Sequence, residues 1–253
     1  MNKIALITGA TAGFGEATAK LFAQNGYNII ITGRRAERLE TLKATLENDH
    51  NISVLSLCFD VRNRSEVESA LTNIPEAFNA IGVLVNNAGL ASGFSHVQEA
   101  DIDDWERMID TNVKGLLYVS RALIPGMIER KSGHIINIGS TAGKEVYERG
   151  NVYCASKHAV DAITKGMRID LLGTGIKVTQ IAPGAAETEF SEVRFHGDKE
   201  KAKNVYNGYK PMEAEDIASL VYYATTLPPH LCINDLVVTS ISQANSFYIN
   251  RKT

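Results

Sequence analysis

The chain has 253 residues, of which 44% are hydrophobic and 22% are charged, and its formal net charge is −3. This length suits one α/β domain, and so small a charge excludes a field that would recruit nucleic acid or an anionic membrane. The first apolar run is too short for a signal peptide and no later run approaches a membrane span, which predicts a cytoplasmic protein. Three cysteines without a C-x-x-C spacing suggest neither a disulfide framework nor a zinc site.

Short β-branched runs alternate with helical stretches along the chain. Strands are predicted at residues 4–8, 28–32, 52–57, 83–86, 134–138, 177–181 and 236–239. Helices are predicted at residues 16–25, 36–47, 65–74, 103–130, 153–172 and 213–226. Apolar runs without polar alternation are typical of parallel strands buried on both faces. The order predicts a single-domain, Rossmann-like α/β fold, a doubly wound parallel sheet flanked by helices over residues 1–253.

A glycine-rich turn joins the first strand to the first helix. It has the spacing Gly-x-x-x-Gly-x-Gly and consists of Gly9, Ala10, Thr11, Ala12, Gly13, Phe14 and Gly15. Backbone amides and the helix dipole at such a position can hold a pyrophosphate. A glycine cluster alone also fits an ordinary tight turn, but the strand before it and the helix after it favour a dinucleotide-binding loop.

Two arginines, Arg34 and Arg35, end the second predicted strand. A sheet that prefers NAD places a carboxylate here, whereas guanidinium groups match the oxygens of a 2′-phosphate. No acidic residue occurs between Asn28 and Ala36. We therefore expect NADP(H) as the cofactor, the alternative being that the arginines only face water at a helix start.

Small or polar residues also follow the third and fourth predicted strands. Asp60 and Val61 are placed to meet the adenine ring, and Asn87 and Gly89 can bring backbone close to the cofactor ribose. Each pair alone fits turn chemistry. Their occurrence at consecutive strand ends favours a cofactor site.

Tyr153 and Lys157 stand four residues apart on a predicted helix and therefore project from one face. The ammonium can favour the ionised phenol, whose ordinary pKa is ~10, and make it a usable acid and base. Ser140 lies upstream as a hydroxyl donor for a developing alkoxide, although alone it also fits a strand-end cap. These features predict a nicotinamide-dependent alcohol/carbonyl oxidoreductase, with a cofactor half at 1–130 and a catalytic half at 131–253.

On these motifs the chain resembles the short-chain dehydrogenase/reductase family over essentially its whole length. The matching positions are residues 8–15 and 86–89, Asn112, Ser140, Tyr153, Lys157, Pro183 and Gly184. Within that family it is similar to bacterial NADP-dependent 3-hydroxy acid dehydrogenases, which act on L-allo-threonine, serine and related acids and reduce malonic semialdehyde. Residues 9–16, 32–35, 134–143 and 188–191 carry this closer similarity.

The resemblance implies a role for each catalytic position. Tyr153 would take the hydroxyl proton, Lys157 would lower the phenol pKa and hold the nicotinamide ribose, and Ser140 would bind the substrate oxygen. Asn112 would support a water that relays protons to Lys157. Such an enzyme would be soluble, and family members are commonly homotetramers joined through the helices predicted at 103–130 and 153–172.

The same resemblance extends to the end of the sixth strand. Pro183 and Gly184 would contact the cofactor, and Thr188 would meet the nicotinamide carboxamide, although the 185–187 segment departs from the related enzymes. The polar segment 187–209 is predicted to form a lid over the substrate.

The substrate end has two candidate arginines. A hydroxy acid needs a partner for its carboxylate, and Arg194 in the lid and Arg149 beside the expected pocket are available. We favour Arg194. The charged segment 144–150 also borders the expected pocket, and we expect Glu145 and Glu148 to face solvent or to pair with Lys144 and Arg149.

Two other functions stay open. A carbonyl or diketone reductase would share every catalytic residue, so only substrate profiling separates it from a 3-hydroxy acid dehydrogenase. An idle NADP(H) sensor is disfavoured because Asn112, Ser140, Tyr153 and Lys157 are all present. The tail at 242–253 fits either packing on a neighbouring subunit or a frayed end.

Overall fold

The structure, a computed structural model, describes residues 3–252. Its strands are β1 Ile4–Ile7, β2 Asn28–Gly33, β3 Val54–Cys58, β4 Val83–Asn86, β5 Gly133–Ile138, β6 Ile176–Pro183 and β7 Asp235–Val238. They form one sheet in the order β3-β2-β1-β4-β5-β6-β7, and every neighbouring pair is parallel. Each strand overlaps a predicted run, so the predicted parallel sheet is confirmed.

Helices cover both faces of this sheet. They are α1 Gly13–Gln24, α2 Ala36–Asp49, α3 Arg64–Thr72, α4 Ile102–Ile109, α5 Leu116–Glu129, α6 Asn151–Asp170, α7 Phe190–Arg194, α8 Lys199–Asn204 and α9 Ala214–Thr226. Within the described range, no helix is both long and apolar enough to cross a bilayer.

Alternate side chains of the strands β1 to β6 enter two separate cores. Ala5 and Ile7 of β1 pack in the layer formed with α1, α2 and α9. Ile4 and Leu6, one position out of phase, pack in the layer formed with α3 and α5. The period of two in a strand explains this division, and burial on both faces explains why β1 has no polar position.

The carboxyl ends of parallel strands meet at one edge of the sheet. The chain proceeds outward from β1 to β2 and β3, then returns to place β4 on the other side of β1. A crevice opens where the order reverses, and ligands of doubly wound sheets bind there. The loops after β1, β2, β4, β5 and β6 therefore border one site.

The helix predicted at 103–130 is one helical stretch that is not uniformly α-helical. α4 ends at Ile109, the π-helical turn Asp110–Gly115 follows, and α5 begins at Leu116. A π-helical turn holds an extra residue and is frequent at functional sites. Asn112 lies in this turn and is buried. Sequence periodicity did not predict this π-helical turn, because the turn changes the phase of the helix by only one residue.

The sheet contains one buried titratable group, His134 on β5, in the part of the chain that the structure describes. Its Nε2 atom lies 2.8 Å from the Thr179 hydroxyl. Burial, assisted by the nearby charge of Lys177, lowers the pKa of His134 from 6.5 to about 3. The imidazole is therefore neutral in the folded protein at pH 7.

The burial of His134 predicts that the folded protein loses stability in acid. The unfolded chain binds the proton near pH 6.5 and the folded chain only near pH 3, so stability should fall as pH falls through that interval, by up to about 1.4 kcal/mol per pH unit. Melting temperatures of His134→Leu between pH 7.5 and 4.5 should show a shallower decline than those of the unchanged protein. The exposed His230 provides the control, since His230→Leu should keep the original decline. Parallel curves for all three proteins would contradict the prediction.

Candidate active site

The predicted phosphate loop lies between β1 and α1. Gly9 has a φ of +66°, and a Cβ on Gly15 would overlap the Gly9 carbonyl oxygen, so both positions require glycine. Ala12 precedes α1 and has no side-chain acceptor, which leaves the helix N-terminus to a ligand. The loop residues at the cavity wall are Gly9, Thr11, Ala12, Gly13 and Phe14. Ala10 instead packs in the core, and Gly15 acts by permitting the close turn.

Asn87 ties this loop to the end of β4. Its Nδ2 atom donates to the Thr8 carbonyl oxygen at 2.8 Å and to that of Gly9 at 3.2 Å. In return, the Thr8 hydroxyl accepts from the amides of Asn87 and Ala88 at 3.0 and 2.9 Å. Asn87 is thus a structural clamp as well as a cavity residue.

The basic end of the site holds more groups than the sequence suggested. Arg34 reaches toward Asp60, with Nη1 and the carboxylate 3.8 Å apart. Arg35 donates through Nε to the Thr11 hydroxyl at 3.0 Å. Arg38, which sequence reasoning missed, lies one turn further along α2 and shares with Arg35 the carboxylate of Glu189. Its spacing of three residues from Arg35 was the available signal.

Asp60 and Val61 line the cavity as predicted for an adenine-binding segment. The Arg62 guanidinium donates to the Asp60 carboxylate at 2.6 Å. Burial tends to raise the pKa of Asp60, but hydrogen bonds from Arg62 and the charges of Arg62 and Arg34 outweigh it and hold the pKa below its usual range. Asp60 is therefore ionised and fixed, and a direct adenine contact stays a prediction.

Three of the predicted catalytic side chains share one cavity wall. Ser140 follows β5 and caps a 3₁₀ turn, its hydroxyl accepting from the Ala142 amide at 3.1 Å. The predicted cap and the predicted site residue are therefore the same serine. Tyr153 and Lys157 project from the first two turns of α6 and are 9% and 6% exposed.

Lys157 is buried against the end of β5. Its Nζ atom donates to the Ile138 carbonyl oxygen at 2.9 Å. Burial lowers the pKa of Lys157 from 10.5 to about 8, so the ammonium is charged at neutral pH but close to losing its proton. Its predicted effect on the Tyr153 phenol stays a prediction.

The charge that acts on Tyr153 in this structure belongs to Arg194. The guanidinium carbon lies 4.9 Å from the centre of the Tyr153 ring. Burial raises the pKa of Tyr153, while the Arg194 charge and the Ser140 hydroxyl oppose that rise. The lid arginine, proposed from the sequence only as a substrate ligand, is thus also an electrostatic neighbour of the phenol.

Asn112 reaches the same region from the π-helical turn. Its Nδ2 atom donates to the Leu90 carbonyl oxygen at 2.8 Å and to the Ser156 hydroxyl at 3.0 Å, and its Oδ1 atom accepts from the Leu90 amide. A Cβ on Gly89 would lie 3.2 Å from Asn112 Oδ1 and 3.5 Å from Lys157 Nζ. The three residues Gly89, Asn112 and Lys157 therefore lie close together. The role of Asn112 in a proton relay stays a prediction.

Arg194 points into the cavity and Arg149 does not. Arg194 donates to the Tyr147 hydroxyl at 2.9 Å and lies among the aromatic rings of Phe94, Phe190 and Tyr153. Arg149 instead approaches Glu148, with 3.9 Å between charged atoms, and does not itself line the cavity. Arg194 therefore lines the cavity whereas Arg149 does not, and binding of a substrate anion by Arg194 stays a prediction.

The expected pairing within segment 144–150 is wrong at Lys144. This lysine forms ion pairs with Asp161 and Asp235 on the side away from the cavity, because two carboxylates lie beside the first residue after the 3₁₀ turn. Glu145 accepts a hydrogen bond from the Ser246 amide. Only Tyr147 and Glu148 of this segment reach the wall. The segment therefore contributes less charge to the cavity than its sequence suggested.

The segment 187–209 closes one side of the cavity and contains α7 and α8. Thr188 packs on the phosphate loop. A Cβ added to Gly13 would lie 3.4 Å from the Cβ of Thr188. The Gly93 amide donates to the Arg194 carbonyl oxygen at 3.0 Å, and the His196 ring lies 3.1 Å from the Asp104 carboxylate. These contacts attach the segment that contains Arg194 to the phosphate loop, to the loop after β4 and to α4.

The C-terminal tail packs on the same chain, an outcome that neither alternative from the sequence, a neighbouring subunit or a frayed end, included. Gln243 Oε1 accepts from the Ala185 amide at 2.8 Å, and Arg251 donates to the Val205 carbonyl oxygen at 2.9 Å. Phe247 and Ile249 line the cavity with Pro183 and Gly184. Sequence reasoning missed this wall because the tail contacts are distant along the chain.

A continuous cavity of about 800 Å³ joins these parts, from the phosphate loop past Ser140, Tyr153 and Lys157 to Arg194. A family model described as short chain dehydrogenase matches residues 3–199. The chain belongs to the short chain dehydrogenase family. The predicted family and fold are confirmed, as is the prediction that this protein is an oxidoreductase.

Several known proteins are similar to this member of the family. An NADP-dependent 3-hydroxy acid dehydrogenase from Salmonella typhi is 49% identical over 242 residues, which cover 95% of this chain and 96% of the relative. Sulfoacetaldehyde reductase 2 from Chromohalobacter salexigens is 46% identical over 253 residues, covering 99% and 100%. The solved closed form of serine dehydrogenase complexed with NADP+ has a TM-score of 0.92 at 47% identity, covering 99% of this chain and 100% of that one.

The burial of Lys157 predicts that replacing this residue stabilises the protein but lowers its activity. Lys157→Met should raise the free energy of unfolding at pH 7 by on the order of 1 kcal/mol, because it removes a buried ammonium at the expense of one hydrogen bond to Ile138. The folded pKa of about 8 lies below the unfolded value, so the gain should be full below pH 8 and vanish by about pH 10.5.

Denaturant unfolding across that pH range, together with turnover, tests this prediction. Turnover should fall at least roughly 100-fold in the same variant. Lys165→Met, on the exposed side of α6, is the matched control and should change stability by less than about 0.5 kcal/mol. A variant that is less stable than the unchanged protein at pH 7 would contradict the prediction.

Proposed function

We propose that this protein is an NADP-dependent oxidoreductase that moves a hydride between the β-hydroxyl carbon of a small 3-hydroxy acid and NADP. The observation that carries the proposal is the position of the Arg194 guanidinium, 4.9 Å from the Tyr153 ring centre in the cavity that also contains Ser140. An anion receptor beside an acid/base pair suits a short acid with a nearby hydroxyl. L-allo-threonine, serine and 3-hydroxypropionate are substrates of this type.

The residues around the phosphate loop fit NADP. The open start of α1 offers backbone amides for the pyrophosphate, and Arg34 and Arg35 offer guanidinium groups for a 2′-phosphate. Asn87, Gly89, Pro183, Gly184 and Thr188 continue the wall toward Lys157. NADP, when bound, supplies the hydride acceptor, and NADPH supplies the donor.

The proton chemistry belongs to Tyr153, Ser140 and Lys157. The Tyr153 phenolate takes the hydroxyl proton during oxidation, and the phenol returns it during reduction. The Ser140 hydroxyl donates to the substrate oxygen, where negative charge develops. Lys157 keeps a positive charge near the ribose and the phenol, and Asn112 supports the water through which its proton is replaced.

Arg194 binds the substrate carboxylate. Its planar guanidinium can hold both carboxylate oxygens, and the surrounding rings of Phe94 and Phe190 strengthen that attraction by excluding water. The same cation lies near Tyr153 and favours its ionised form. An acid substrate is thus oriented by the group that assists its deprotonation.

A second candidate is reduction of a short aldehyde that carries a sulfonate, such as sulfoacetaldehyde. The full-length similarity to a sulfoacetaldehyde reductase favours it. A sulfonate also presents oxygens that a guanidinium can hold, so Arg194 serves either anion. A reductase of neutral carbonyls would leave Arg194 without a ligand, and an idle sensor would not need the Ser140, Tyr153 and Lys157 arrangement.

We propose further that the protein works in the cytoplasm as a homotetramer. Leu117 and Ile128 on α5 and Ile169 on α6 are exposed apolar side chains. Exposed apolar side chains on these two helices support a contact between subunits. The two helices are those through which the resemblance predicts assembly.

Substrate profiling tests the proposed function. We expect NADPH formation from L-allo-threonine, serine or 3-hydroxypropionate with NADP, little with NAD, and none from neutral secondary alcohols. NADPH oxidation with sulfoacetaldehyde but not with malonic semialdehyde would favour the second candidate. Turnover of neutral substrates alone would contradict both.

The role of Arg194 predicts a split between substrates. Arg194→Met should raise KM for hydroxy acids roughly 10- to 100-fold and change KM for any accepted neutral alcohol or aldehyde less than about twofold. Arg149→Met is the matched control because that arginine lies outside the cavity wall. Steady-state kinetics measure the effect, and an equal loss on acids and neutral substrates would contradict carboxylate binding.

A further inference from the structure

The first residue before α7, Glu189, is held by the two arginines at the start of α2. Arg35 Nη1 lies 3.0 Å from Glu189 Oε2, and Arg38 Nη1 lies 2.7 Å from Glu189 Oε1. Each carboxylate oxygen therefore has its own guanidinium. Although Glu189 occupies the N-cap position of α7, its side chain makes no capping hydrogen bond there.

The same arginines are fixed to the phosphate loop. Arg35 donates to the Thr11 hydroxyl through Nε at 3.0 Å and to the Thr11 carbonyl oxygen through Nη2 at 3.1 Å. Arg38 reaches that carbonyl oxygen at 3.5 Å. The cluster of Thr11, Arg35, Arg38 and Glu189 thus connects the phosphate loop, the end of β2 and the beginning of the lid segment.

The geometry of this cluster resembles recognition of a phosphate monoester. Two guanidinium groups that donate hydrogen bonds to the two oxygens of a carboxylate can equally donate to two oxygens of a phosphate. Both sets of oxygens need the same N–H donors, so one anion excludes the other. Burial tends to raise the pKa of Glu189, but the two arginines outweigh it and hold the pKa below its usual range, so Glu189 is an anion at neutral pH.

Exposure makes the exchange feasible. The side chains of Arg35, Arg38 and Glu189 are 43%, 51% and 44% exposed. Ion pairs that are this open to water are weak because solvent screens them, whereas a phosphate dianion carries more charge than a carboxylate. A ligand phosphate can therefore displace Glu189 without unfolding any element.

We propose that Glu189 is an internal competitor for the arginines that recognise the 2′-phosphate of NADP, and that Arg38 is part of this recognition together with Arg35. This inference rests on the NADP assignment in the proposed function and does not depend on the substrate. Binding of NADP exchanges the carboxylate for the phosphate, whereas NAD has no group that can make the exchange. Glu189 therefore moderates affinity for NADP, and Arg38 contributes to the choice between the two cofactors.

The exchange also reaches the substrate end of the cavity. Glu189 follows Thr188, which packs on Gly13, and precedes the helix that carries Arg194. Release of the Glu189 carboxylate removes the two ion pairs that join the lid segment to Arg35 and Arg38. The bound nucleotide, NADP or NAD, thus determines which contacts hold the start of the segment that covers the substrate.

Calorimetric titration with two nucleotides that differ only in the 2′-phosphate tests the proposal without turnover. Adenosine 2′,5′-bisphosphate and adenosine 5′-monophosphate serve as probes for the full chain. Glu189→Gln should lower Kd for the bisphosphate roughly 3- to 10-fold, and Arg38→Met should raise it roughly tenfold. Neither variant should change Kd for the monophosphate by more than about twofold.

Glu192→Gln is the matched control because it removes one negative charge from α7 outside the cluster. It should leave Kd for both nucleotides nearly unchanged. In an Arg38→Met background, the gain from Glu189→Gln should shrink, since one of the contested guanidinium groups is absent. Melting temperatures confirm that each variant is folded.

Three results would overturn the proposal. Glu189→Gln could leave bisphosphate binding unchanged or weaken it, which would make Glu189 a plain structural contact. Glu192→Gln could give the same gain in affinity for the bisphosphate, which would mean that the effect comes from net charge and not from the position of Glu189. If the unchanged protein failed to prefer the bisphosphate to the monophosphate, the NADP assignment would fall as well, which distinguishes that failure from the other two.

Discussion

Parallel pairing of β1 with both β2 and β4 is the constraint on which the rest of the site depends. It brings the carboxyl ends of three strands to one edge, so that the loop after β1 meets the turn after β4. Hydrogen bonds between Thr8 and the 87–88 backbone and between Asn87 and Gly9 close that junction. The phosphate loop is thereby fixed to the sheet at the point where it leaves β1.

Burial sets the electrostatics at the other end of the cavity. It lowers the pKa of Lys157 and raises that of Tyr153, so burial disfavours the charged form of both groups. The lid returns positive charge to this region through Arg194. The buried Tyr153 and Lys157 of α6 therefore share their cavity with a guanidinium from a separate, more exposed element. In the proposed function, this arrangement links substrate recognition to proton transfer.

Local sequence patterns were sufficient for the sheet, most helices and the phosphate loop, because periodicity and glycine spacing act over a few residues. Ser140, Tyr153 and Lys157 could be named because their order follows known family motifs. Arg38 was missed although its spacing from Arg35 was a signal, and the tail wall at Gln243 and the partners of Lys144 could not be named. Their contacts join positions that are 17 to 151 residues apart, and nothing in either local segment identifies the partner.

The sequence by itself determined that strands and helices alternate, that a phosphate loop opens the fold and that a tyrosine and lysine share a helix face. These follow from hydrophobic period, backbone permissiveness and helical geometry. Only the tertiary structure decided between Arg194 and Arg149, placed Asn112 in a π-helical turn and brought Glu189 onto Arg35 and Arg38. Such decisions depend on the packing of distant elements, which selects among side chains that are equivalent in local sequence.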